Sequence, residues 1–333
     1  MNHSLIKKIG FAFFVLTCAY GTNTQAQQTA HNIILDQMNY LLYLPEDYQS
    51  DTTKLWPMMV FLHGGGECGN DVEKVKWLGP PRKIEDGHKY PFIVVSPQSP
   101  EYGWKPNFVQ RLVLDLQNRY RVDKDRTYLT GLSMGGFGTW HTAQSHPDLF
   151  AAIVPICGGG NTYNAHSLEN MPIWCFHGEK DDVIPISRSQ EMIDSLKQYD
   201  NPNVKFTIYP EVWHDSWTET YNNEDVYTWM LSHKRFKYQE EPITAEQLDE
   251  YTGVFFTTYS DGEEFSFTLL NDAEKLKVEW NEEHSSTYIY AGKDKFFMDP
   301  DKYEYIKFNR DNENRIIGFS MVHSHYKQNY HKK

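Results

Sequence analysis

Along this chain the hydrophobic positions change period once, near residue 240, and the change divides the sequence into two parts. In the first part short apolar runs alternate with stretches of helical spacing. Asn39 to Leu44 alternates like an edge strand and stops at Pro45. Trp56 to Leu62 is unbroken, as expected of a strand buried on both faces, and it ends at His63-Gly64-Gly65-Gly66. Pro91 to Ser96, centred on Ile93, Val94 and Val95, predicts a second buried strand. Phe108, Leu112, Val113, Leu116 and Tyr120 fall on one face of a helix. A β-rich run from Tyr128 to Leu132 leads into a helix through Trp140 and Ala143. Ala151 to Ile156, Ile173 to Phe176 and Val204 to Tyr209 predict further strands. Ile193 and Leu196 predict a helix between the last two, and Val226 to Leu231 a closing helix. Strands alternating with helices imply an α/β fold with a doubly wound, mostly parallel sheet. Chemistry in such a sheet lies at the carboxyl ends of the strands, where the loops starting at His63, Gly131, Gly178 and Pro210 begin.

Beyond a linker at Gln239-Glu240-Glu241-Pro242 and a helical turn from Ala245 to Tyr251, the period is two. Val254-Phe255, Phe265 to Leu269, Leu276 to Trp280, Thr287 to Tyr290, Phe296 to Met298, Tyr303 to Phe308 and Ile316 to Phe319 read as short strands separated by turn residues. Their spacing, roughly ten residues, predicts an antiparallel meander closed as a small barrel or half-barrel. The expected division is a targeting segment over 1–26, a catalytic domain over 27–238 and a small β-domain over 239–333.

The targeting segment is read from Lys7 and Lys8, the apolar run Ile9 to Tyr20, and Thr24-Gln25-Ala26, with cleavage after Ala26. Lipoprotein processing before Cys18 is the rival. Either implies a secreted or periplasmic protein, and no later stretch is long and apolar enough to span a bilayer. The formal net charge of −13 becomes −15 once a leader holding Lys7, Lys8 and no acid is removed. That balance disfavours nucleic acid and anionic membranes as partners and favours neutral or hydrophobic substrates. Without Cys18 three cysteines remain, Cys68, Cys157 and Cys175, with no Cys-x-x-Cys, so neither a disulfide framework nor zinc is expected. Cys157 and Cys175 read as core residues, with one bond between neighbouring strands left open. His323, His325 and His331 lack an acidic or cysteine companion, and no metal or organic cofactor is assigned.

The candidate chemistry starts at Gly131-Leu132-Ser133-Met134-Gly135, placed between a strand and a helix as a nucleophile elbow requires. Ser133 needs a base to take its proton and an acid to orient that base. In the order nucleophile, acid, base, the acid is Asp181, ahead of Asp182, and the base is His214, each after a predicted strand. The Met134 N–H and one from the glycine loop, Gly65 ahead of Gly64, would form an oxyanion hole. Glu67 either supports that loop or is solvated. Trp104 and Trp213, then Trp77, are expected to line a substrate pocket. His63 and His177 read as structural, and His141 and His146 as off-site.

Five segments together resemble esterases of the α/β-hydrolase superfamily: Phe61-Leu62-His63-Gly64-Gly65-Gly66-Glu67, Tyr128 to Gly136, Val154-Pro155-Ile156-Cys157-Gly158-Gly159, His177 to Pro185, and Tyr209 to Trp217. They are most similar to the polyhydroxybutyrate-depolymerase-like and feruloyl/acetylxylan-esterase-like group, related to dienelactone hydrolases and prolyl oligopeptidases. The resemblance implies Ser133 as nucleophile, Asp181 as acid and His214 as base. It implies hydrolysis of carboxylic esters, small or on polysaccharide, without a cofactor. The tail resembles a small β-domain appended to some hydrolases. A peptidase using the same triad, and a carbohydrate-binding protein with an idle site, are the alternatives.

Overall fold

A computed structural model describes residues 28–33, 38–199, 201–281 and 283–333. The targeting segment and Cys18 lie outside the described residues. Among those residues no helix is long and apolar enough to cross a membrane.

The first part folds as an eight-stranded sheet in the order β1-β2-β4-β3-β5-β6-β7-β8. The strands are β1 (Thr29–Ile33), β2 (Met38–Tyr43), β3 (Trp56–Leu62), β4 (Ile93–Pro97), β5 (Val122–Leu132), β6 (Ala152–Ile156), β7 (Ile173–Gly178) and β8 (Val204–Tyr209). From β3 to β8 neighbours are parallel, while β1 and β2 run antiparallel. The segment expected to form an edge, β2, is second from the edge, because β1 pairs along its outer side. Accordingly β2 buries residues on both faces.

Alternation sorts each strand's side chains between two cores. Met58, Val60 and Leu62 of β3 join one cluster; Met59 and Phe61 join the other. The first face is covered by α2 (Pro106–Arg119), α3 (Met134–Ser145) and α4 (Ser187–Lys197), through Leu112, Trp140 and Met192 among others. The second is covered by α1 (Gly79–Glu85), α5 (Trp217–Asn222) and α6 (Glu224–Leu231), through Ile84, Tyr221 and Met230. The open disulfide is excluded by the same sorting. Cys175 belongs to the first core and Cys157 to the second, so they lie on opposite faces, and both thiols are free.

After α7 (Ala245–Asp249), begun by a capping box of Thr244 and Gln247, the chain forms a closed barrel of antiparallel neighbours. Its strands are β9 (Gly253–Thr258), β10 (Glu264–Asp272), β11 (Lys275–Glu279), β12 (Ser285–Tyr290), β13 (Lys295–Phe297), β14 (Tyr305–Arg310), β15 (Ile316–Val322) and β16 (Lys327–Lys332). Phe255, Leu269, Val278, Phe296, Phe308 and Phe319 fill it. The barrel docks near the amino ends of the parallel strands. Arg235 binds Asp125 at 2.9 Å and Asp301 at 2.6 Å. Lys302 binds Asp148 at 3.2 Å, Lys295 binds Glu169 at 2.9 Å, and the Tyr303 hydroxyl donates to the His166 carbonyl. The carboxyl ends of the sheet are the opposite edge, where the candidate chemistry lies.

Candidate active site

The turn from β5 to α3 holds Ser133 at φ 54°, ψ −117°, a conformation that a side-chain-bearing residue keeps only when its surroundings enforce it. They do so by proximity. A Cβ on Gly135 would come within 1.9 Å of the Leu62 carbonyl, and one on Gly131 within 2.4 Å of the Gly135 carbonyl. The Ser133 N–H donates to the Ile156 carbonyl at 3.0 Å, tying the turn to the next strand.

His214 faces this serine from the loop after β8. Its Nε2 is 3.0 Å from Ser133 Oγ and its Nδ1 is 2.8 Å from Asp181 Oδ2. The Asp181 side chain is fully buried. Its Oδ1 accepts N–H bonds from Val183 at 3.0 Å and Ile184 at 2.8 Å. Asp182 is exposed. The acid and histidine loops interlock: Lys180 N–H donates to the Val212 carbonyl at 2.9 Å, and a Cβ on Gly178 would meet the Trp213 carbonyl at 2.2 Å.

A second histidine, read from sequence as structural, stands beside the acid. His177 Nε2 is 3.3 Å from Asp181 Oδ2 and 2.9 Å from the Ile184 carbonyl; Nδ1 is 2.8 Å from Ser189 Oγ. Burial lowers its pKa. Assigned from these partners, the neutral ring carries its proton on Nε2 and donates it to the Ile184 carbonyl, with Asp181 Oδ2 close beside that bond.

The glycine loop approaches from the end of β3. Gly65 opens a tight turn, Gly65–Glu67, so its N–H has no partner within that turn. The Gly64 N–H instead faces the carboxyl of Glu67. Glu67 is buried, Oε2 lacks a hydrogen-bond partner, and burial raises its pKa. His63 Nδ1 is 2.6 Å from the Gly64 carbonyl, and Nε2 accepts from Ser99 N–H at 2.9 Å. Burial pushes the His63 pKa down to about 4, so the ring is neutral and gives Glu67 no counter-charge. Met134 starts α3, with its N–H at the helix N-terminus. Its thioether accepts from Gly103 N–H at 3.0 Å, and next to Gly103 the Tyr102 ring lies over Gly65. Tyr102 is 80% exposed. Only its φ-permissive neighbour Gly103 hinted at it in the sequence.

The tryptophans divide. Trp104, expected at a pocket, is buried: it packs on Gly138 and donates to the His63 carbonyl at 3.1 Å. Its indole wedges the glycine loop against α3. Trp213 is 57% exposed beside His214. Trp77 shares a cavity of about 240 Å³ with Trp217, whose ring meets His214 edge-on at 5.1 Å. Among the described residues, the ligand atoms close enough to hold an ion are those of Cys157, Asp181 and His214, within 4.8 Å of one another. Two of these are engaged in the Ser133–His214–Asp181 chain, and burial pushes the Cys157 thiol up to about 12.

Residues 104–248 match the dienelactone hydrolase family. A bifunctional acetylxylan esterase/xylanase of Neocallimastix patriciarum is 33% identical over 28% of this chain and 13% of its own length. Poly(3-hydroxyalkanoate) depolymerase C of Paucimonas lemoignei is 31% identical over 31% of this chain and 28% of its own. "Probable feruloyl esterase C" of Aspergillus terreus is 25% identical over 48% and 60%. The chain thus spans less than two thirds of each relative. A thermostable esterase of known structure superposes with a TM-score of 0.54 and 29% identity, over 63% of this chain and 64% of that one. The sheet domain has the α/β-hydrolase fold.

Proposed function

We propose that this chain is a serine carboxylic ester hydrolase, with Ser133, His214 and Asp181 as its triad. The observation that carries this is the continuous chain of hydrogen bonds, 3.0 and 2.8 Å long, from a strained serine through one imidazole to a buried carboxylate. His214 Nε2 takes the Ser133 proton as Oγ attacks the ester carbonyl. The N–H groups of Met134 and Gly65 receive the oxyanion. The intermediate collapses, the alcohol leaves with the proton from His214, and an acyl-enzyme remains. Water, deprotonated by the same ring, attacks the acyl carbon and releases the acid and Ser133.

The acyl group proposed is feruloyl or acetyl, carried on plant polysaccharide. The printed names of the relatives and the exposed rings of Tyr102 and Trp213 support it. Gly65 is favoured over Gly64 because the latter's N–H faces Glu67. The catalytic unit is proposed as residues 27–238 and the appended domain as 239–333. Export through residues 1–26 is part of the same proposal, supported by the basic–apolar–small pattern there.

The test is turnover of matched p-nitrophenyl esters and p-nitroanilides by the native protein, with Ser133→Ala as control. Ester cleavage abolished by Ser133→Ala, and labelling of Ser133 by a fluorophosphonate, is the expected outcome. Faster anilide cleavage would make the enzyme a peptidase. No hydrolysis and no labelling would end the proposal.

A further inference from the structure

Between the barrel and the sheet domain lies a groove of about 420 Å³, within the size range of small-molecule sites. Alternation along β14 builds one wall. Ile306 and Phe308 point into the barrel core, while Tyr305, Lys307 and Asn309 face the groove. Lys327, at the start of β16, extends this wall. The other wall carries Tyr163 and, just past α4, Gln198 and Tyr199.

Charge separates this groove from an ordinary crevice between domains. Its one carboxylate, Glu169, is bound by Lys295 at 2.9 Å. Lys327 makes no ion pair among the described residues. Lys307 feels Asp294 only through space, and that carboxylate is bound by Arg310 at 2.9 Å and Tyr251 at 2.8 Å. Two ammonium groups thus face a cavity on a chain whose net charge is −13, which favours an anionic occupant. Tyr163 is 81% exposed and Tyr199 39%, offering flat apolar faces with polar tips. Gln198 and Asn309 each offer donors and an acceptor. No arginine, with its phosphate-matching fork, is among the lining residues.

We propose that this groove binds an acidic saccharide. Ring carboxylates meet Lys307 and Lys327, the apolar face of a sugar packs on Tyr163 or Tyr199, and hydroxyls bond to Gln198 and Asn309. The site is separate from the chemistry. Ser189, in the first turn of α4, bonds His177, and the groove begins past the last turn at Gln198, about 14 Å away along the helix axis. The occupant does not touch Ser133. A polysaccharide held here raises the local concentration of its own esters at the triad. The binding step does not rest on the esterase reading.

The experiment is calorimetric titration of the full chain with an ester-free oligogalacturonide and with a neutral xylo-oligosaccharide of equal length. The proteins compared are native, Lys307→Gln/Lys327→Gln, and Tyr163→Ala. Expected are binding of the acidic oligomer weakened by salt, affinity for the neutral oligomer lower by about tenfold or more, and a comparable loss in the double variant and in Tyr163→Ala. Hydrolysis of p-nitrophenyl acetate should be unchanged in both variants. Absent binding, equal affinity for both oligomers, or full affinity in the double variant would overturn the proposal. Equal competition by inorganic phosphate would reduce the site to a general anion site and overturn the saccharide assignment.

Discussion

Replacing Asp181 by asparagine isolates what the buried carboxylate does for His214. The change keeps size and shape but converts one acceptor oxygen into a donor NH₂. Two orientations exist. If the NH₂ takes the Oδ1 position, it faces the N–H groups of Val183 and Ile184, now 3.0 and 2.8 Å from Oδ1. Donors would then oppose donors in a buried site, at a cost of about 1–3 kcal/mol for each unsatisfied group. If the NH₂ takes the Oδ2 position, it faces His214 Nδ1 at 2.8 Å, while the His177 Nε2–H nearby keeps its bond to the Ile184 carbonyl at 2.9 Å. The ring satisfies it by accepting there, which moves the ring proton to Nε2 and removes the lone pair facing Ser133 Oγ. The second arrangement is the cheaper one, and it leaves a folded protein without a base. A wrong tautomer of this kind lowers kcat about 10⁴-fold in a serine protease, equivalent to about 5 kcal/mol in the barrier. We expect a loss of that order for Asp181→Asn, with melting temperature little changed. Asp182→Asn, on an exposed side chain, should change kcat by less than about twofold. The assay is steady-state hydrolysis of p-nitrophenyl acetate by both variants beside the native protein. A larger loss in Asp182→Asn, or more than a tenth of native kcat in Asp181→Asn, would refute the tautomer argument.

Two further outcomes are expected. Glu67→Ala should lower kcat by about 10- to 100-fold at nearly constant KM, because the loop presenting Gly65 loses its internal support, while Glu67→Gln retains most activity; a whole oxyanion donor is worth about 10²–10³. Equal losses in both would show that the carboxylate itself, rather than the size and carbonyl acceptor that glutamine keeps, matters at position 67. Interdomain docking should loosen in acid. Burial raises the Asp125 pKa but hydrogen bonds from Lys237 and Arg235 outweigh it, and the bond from Arg235 leads in lowering Asp301. Both folded values therefore lie below the unfolded carboxylate value of about 3.9. Their stabilisation is present above that pH and is lost as pH falls through the folded values. Urea melts of native and Arg235→Ala protein at pH 7, 4 and 3 should converge in acid; a constant gap would count against this.

Most of the sheet was legible because parallel strands are buried on both faces and read as unbroken apolar runs, as Trp56 to Leu62 does. α1 was not, since it begins Gly79-Pro80-Pro81 and reads as loop, although proline suits a first helical turn. β16 was hidden by its composition: Lys327-Gln328-Asn329-Tyr330-His331-Lys332 gives no apolar alternation, and only barrel closure makes it a strand. In the site, the need for Ser133 to strain was readable from Gly131 and Gly135. The place of His177 was not, because nothing in its neighbours distinguishes a histidine beside an acid from one packed in a core. Trp104 misled for a related reason. A tryptophan after a strand end reads the same whether its indole faces solvent or fills the gap beside Gly138.

Closure of the barrel through β16 sets an order on folding. β9 is its first strand and finds one of its two partners only when the last strand arrives. On a ribosome, every strand of the parallel sheet emerges before any strand of the barrel. The sheet domain can therefore acquire its tertiary structure during synthesis, while the barrel, held by contacts distant in sequence, finishes slowly afterwards. Until then the flank of β9 is an unpaired edge, open to another chain. Misassembly between nascent copies should concentrate there rather than at the face that carries Ser133.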